Sequence, residues 1–65
     1  MKFENLLETG IIKDNMKVVI KFRIAGRQFS DAGVWFSDNI LNHLNDDIIE
    51  FKLDYGKNKI VIKTY

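Results

Sequence analysis

The stretch "MKVVIKFRI", residues 16 to 24, constrains this chain more than any other. Met16, Val18, Ile20, Phe22 and Ile24 alternate with Lys17, Val19, Lys21 and Arg23. Side chains on a strand point alternately to opposite faces, so this pattern buries one face and leaves a polar one. An isolated pair of strands is marginal in water. The rest of the chain must therefore supply more strands and a cover for the apolar face.

It does so in order. "AG" at 25 and 26 marks a turn. The chain restarts at Arg27 and is expected to extend through Phe36 as the second strand of a hairpin. Gly33 within it predicts a bulge or a close backbone approach. Residues 48 to 54 alternate again, with Ile49, Phe51 and Leu53 expected inward and Ile48 outward. "YGKN" at 55 to 58 reads as a hairpin loop, and residues 59 to 64 return with Ile60 and Ile62 inward. Two short helices complete the set. Phe3, Leu6 and Leu7 share one helical face over residues 3 to 9, with Gly10 as a left-handed stop. Ile11 and Ile12 then run toward the core. Ser37 is a candidate N-cap, with Asp38 in the first turn where a helix favours negative charge. Ile40, Leu41 and Leu44 form the second stripe, ending near Asn45. The expected fold is one α+β domain over residues 1–65. It is an antiparallel four-stranded sheet with two short helices on one face, in the order α-β-β-α-β-β.

A chain of 65 residues buries only roughly 60% of its unfolded surface. Domains of this size often rely on disulfides or metal. There is no cysteine and His43 is the only histidine, so neither a disulfide nor a zinc site is expected, and no cofactor. What is left is a dense core or self-association as a homodimer. The chain supplies one Trp, two Tyr and five Phe for such a core. No apolar run is long enough for a membrane span. The start "MKFENLLETG" lacks the basic start and apolar run of a signal peptide. No membrane partner and a cytoplasmic location are expected.

Charge is arranged in blocks. Between residues 13 and 27, Lys13, Lys17, Lys21, Arg23 and Arg27 face only Asp14. Between 28 and 50 stand Asp31, Asp38, Asp46, Asp47 and Glu50, with no lysine or arginine. From 51 onward four lysines face only Asp54. Such asymmetry bears on partners rather than on fold.

No residue set suggests catalysis. Asp46 and Asp47 are adjacent on an extended chain, where they point apart, and a small domain has little room for the cleft that paired acids need. His43 lies off the apolar stripe and is expected to be exposed, without an orienting partner. Two binding surfaces remain. The consecutive Val34, Trp35 and Phe36 cannot all face one side of a strand, so one of them needs a second environment. Trp and Phe are frequent interface anchors. With Asp31 and Asp38 they form a candidate protein interface. The polar sheet face should carry Lys17, Lys21, Arg23, Lys52 and Lys63, with Glu50 and Asp54 among them. This is a candidate nucleic-acid surface, though it lacks the aromatic platform on which bases stack.

The layout as a whole resembles a known group. It has a "FENLLETG" helix and a "KVVIKF" strand. An extended piece then reaches the tryptophan in "GVWFSDNILNHLNDDIIEFKL", and "KNKIVIKTY" closes the chain. This is similar to the very small uncharacterised proteins encoded by bacteriophages, prophages and other mobile elements of low-GC bacteria. The resemblance covers the chain in outline and assigns no site residue. It implies cytosolic action in a bacterial host without enzyme activity, by binding a host protein, including inhibition of host defence. The leading expectation is thus a non-enzymatic protein that works by protein–protein contact. The alternative is a nucleic-acid-binding module using the basic sheet face.

Overall fold

The computed structural model describes residues 1–65. The strand read from "MKVVIKFRI" forms as β1, Lys17–Ile24, with Val18 and Ile20 fully buried. A two-residue turn at Ala25 and Gly26 returns the chain into β2, Arg27–Gly33. Both turn residues have positive φ, 52° and 80°, the requirement of the tight turn that matches strand twist. Phe22 pairs with Phe29 and Ile20 with Asp31 across this hairpin. After a crossover come β3, Ile48–Asp54, and β4, Lys59–Thr64. A 3₁₀ turn, Tyr55–Lys57, stands between them, so the loop expected at 55 to 58 has structure of its own. Asp54 caps this turn by accepting from the Lys57 N–H at 3.2 Å.

The sheet is mixed, which corrects the expectation of a purely antiparallel one. The strand order is β2-β1-β4-β3, and the central pair β1 and β4 is parallel. The full element order is α-β-β-α-β-3₁₀-β. The reason lies in burial and in the length of the crossover. β1 and β4 carry the fully buried Val18, Ile20, Ile60 and Ile62, so they take the centre. β2 and β3 then lie at opposite edges and run in the same direction. Strands of one direction need a long crossover, which a tight hairpin cannot supply. Residues 34 to 47 supply it.

That crossover holds α2, Asp38–Leu41. The helix is shorter than the stripe predicts, and the chain continues in turns through Asn45. His43 N–H bonds to Ile40 O at 3.0 Å, and Asp46 N–H to His43 O at 3.0 Å. This is the tighter three-residue period, in which side chains at i and i+3 eclipse. Ile40, His43 and Asp46 therefore fall in one line.

The leading helix, α1, is Phe3–Glu8. Six residues do not form a stable helix alone. It is held by the crossover: Phe3 N–H donates to Asp46 O and Glu4 N–H to Leu44 O, each at 3.0 Å. Two of the N–H groups that a helix start leaves unpaired are thus satisfied. Asn5 Oδ1 accepts from the Lys2 N–H at 3.1 Å. Both helices bury their apolar stripe on one sheet face. Phe3, Leu6 and Ile40 join Ile12, Met16, Val18, Ile20, Ile60 and Ile62 in a single core. Burying an isoleucine side chain contributes about 1.5–3 kcal/mol relative to leaving it exposed. The other sheet face has no helix on it.

Candidate binding face

Three further corrections bear on the site. β2 ends at Gly33, not at Phe36. Val34 follows it outside the strand, and residues 35 to 37 form a turn and bend. Val34, Trp35 and Phe36 are therefore not bound by strand alternation. A Cβ on Gly33 would lie 2.9 Å from Ser37 Oγ. Gly33 marks a close approach, and the ladder of β1 and β2 runs through it without a shift in register. The turn sends Trp35 inward, half-buried against the core. Its Nε1–H donates to Asp14 Oδ1 at 2.8 Å. Phe36 turns outward, 53% exposed, and meets the indole edge-to-face at 5.4 Å.

The proposed interface set is therefore dispersed. Val34 and Trp35 are half-buried, while Asp38 is exposed in the first turn of α2. Asp31 points to the helix side of the sheet, where its Oδ2 lies 2.8 Å from His43 Nε2. Only Phe36 projects as a bare anchor.

His43 is buried, 7% exposed, which overturns the reading of it as a solvated residue. Its Nδ1 lies 2.7 Å from Asp46 Oδ2, and its ring packs 4.7 Å from Phe22. Burial pulls its pKa down. The hydrogen bonds and charges of Asp31 and Asp46 outweigh that, and the net shift is upward from the ordinary histidine value. Both ring nitrogens face carboxylates, so the imidazole is held at each end. It is a structural clamp between β2 and the crossover. Its signal in the sequence is the three-residue spacing of Ile40, His43 and Asp46, which helical periodicity hides.

The bare sheet face gathers its residues as the alternation requires. Lys17, Lys21, Arg23, Lys52 and Lys63 are all exposed on it. The alternation of β4 adds one that the sequence reading left out: Lys59, half-buried, which stands opposite Lys17. Lys21 stands opposite Lys63 in the same way, and Val19 opposite Val61 lies between the two lysine pairs. The two lysine rows are about 13 Å apart along the strands. On the β3 side each row ends in an acid: Glu50 opposite Lys63, and Asp54 opposite Lys59. Among these pairs only Lys63 and Glu50 are in ionic contact, at 3.8 Å with both side chains exposed. Such a contact is worth little.

One end of this face is hollowed. Between Ile48 and Glu50 the register of β3 slips by one residue, which leaves Ile49 unpaired. This bulge corrects the expected inward run of Ile49, Phe51 and Leu53. Phe51 and Leu53 stand opposite Ile62 and Ile60 as expected, but Ile48 takes the inward place and packs on the core. Ile49 is 49% exposed. It lines a depression of about 440 Å³ with Lys21, Arg23, Lys63, Glu50, Gln28 and Tyr65 among its walls.

No protein-family model, curated protein or solved structure matches the chain. No helix is long and apolar enough to cross a membrane. The face therefore has to be read from its own chemistry.

Proposed function

We propose that this chain is a non-enzymatic binding protein that acts by protein–protein contact, and that its bare sheet face takes an acidic surface of the partner. One observation carries the reading. The two central strands set lysine against lysine twice on an uncovered face, Lys17 with Lys59 and Lys21 with Lys63. Like charges directly opposite each other destabilise a sheet. An anionic partner relieves that repulsion and gains from it. The centre of the face is the apolar Val19 and Val61 pair, with acids along the β3 edge. A polypeptide of mixed acidic and apolar side chains complements this better than a phosphate backbone does. The resemblance to small phage and mobile-element proteins supports a partner in a bacterial host.

The test is a titration with a fluorescein-labelled Glu-rich peptide and with labelled single- and double-stranded oligonucleotides, at low and at moderate salt. The peptide is expected to bind and to be released by Lys21→Glu. Tighter oligonucleotide binding, with affinity falling steeply as salt rises, would make the face a nucleic-acid surface instead. Absence of binding by every probe at low salt contradicts any role for the face as an anion receptor.

A further inference from the structure

The geometry points to a specificity pocket within this face: the depression at Ile49 seats one large apolar side chain of the acidic partner segment. The inference rests on the binding reading above and deepens it. Its support is the bulge. A residue inserted in β3 disrupts the ladder and leaves one isoleucine without a cross-strand neighbour. Bulges commonly re-aim a side chain at a working surface. Here the result is an isoleucine 49% exposed among cations, beside Tyr65, which is 80% exposed. An apolar floor ringed by Lys21, Arg23 and Lys63, with Glu50 beside Lys63 as the one acid, suits an apolar anchor flanked by carboxylates. The anchor displaces water from Ile49 and the Tyr65 ring, while its neighbours meet the cations. Charge complementarity selects an acidic segment, and the floor selects an anchor within it. Binding anchors of this kind are commonly aromatic.

Two labelled peptides test this on the whole chain. One alternates Glu and Ser around a single central Phe; the other has Ser in place of that Phe. The Phe peptide is expected to bind about tenfold more tightly, the return from burying an aromatic side chain in part. Ile49→Ser should abolish that preference, leave the affinity for the Ser peptide unchanged and keep the far-UV circular dichroism of the native chain. Lys21→Glu should weaken both peptides alike. Equal affinity for the two peptides overturns the pocket while leaving the acidic-partner reading in place, as does an Ile49→Ser variant that retains the preference. Failure of both peptides to bind overturns the pocket and the binding reading together.

Discussion

His43 Nε2 and Asp31 Oδ2 lie 2.8 Å apart and tie the crossover to the edge strand β2. With Asp46 on the other ring nitrogen at 2.7 Å, this clamp is at its strongest when the imidazole is charged. The folded-state pKa is raised above the ordinary value of 6.5. The resulting stabilisation is fully present below the unfolded-state pKa and is lost as pH rises through the folded-state pKa. Urea unfolding between about pH 5.5 and pH 8.5, where carboxylates stay ionised, should show stability falling as pH rises. His43→Ala should cost about 2–3 kcal/mol at the acidic end, on the scale of hydrogen bonds to charged groups, and should flatten the pH profile. A pH profile unchanged by the substitution would show that the clamp does not couple to folding.

Trp35 and Phe36 are neighbours in sequence with opposite fates. Trp35→Ala removes a half-buried indole from the core and its bond to Asp14. It should destabilise by about 2–4 kcal/mol, near the range for large-to-small core changes. Phe36→Ala removes an exposed ring and should stay within about 0.5 kcal/mol. Thermal melts of the two variants check this; equal melting temperatures would mean that the indole does not serve the core.

Ala25 sits in the β1–β2 turn at φ 52°, where an alanine Cβ is strained. Asn and Gly take this conformation readily in two-residue turns. Ala25→Asn should therefore raise stability by about 0.5–1 kcal/mol, read as a higher melting temperature. A lower one would show that the turn carries no such strain.

The parts of the fold that follow from local pattern could be read from the sequence, and the parts set by pairing could not. β1 is legible because alternation between Met16 and Ile24 admits one structure. The composition of the basic face follows from the same alternation, together with Lys52 and Lys63. Lys59 falls on it by the same alternation, since Ile60 and Ile62 point inward; only its pairing with Lys17 is set by register, which no local pattern encodes. The parallel centre depends on which two strands are most apolar and on a crossover long enough to span the sheet. The bulge at Ile49 shifts the alternation by one residue and so hides within it. Val34, Trp35 and Phe36 looked like strand because they are β-branched and aromatic. Gly33 ends the strand by allowing Ser37 to fold back against it. His43 falls on the solvated side of an α-helical wheel, while the chain there follows the tighter three-residue period.

Opposed lysines on the two central strands oppose folding and favour an acidic partner, so stability and binding should trade against each other there. Lys21→Glu places an acid opposite Lys63 and tests that claim most directly when both quantities are measured on one variant. Stability should rise by about 0.5–1 kcal/mol in urea at low salt, with the gain shrinking as salt screens the pair. Affinity for the Glu-rich peptide should fall at least about tenfold, the effect of roughly 1.4 kcal/mol. A variant that gains stability and binds the peptide as tightly as the native chain would contradict the account.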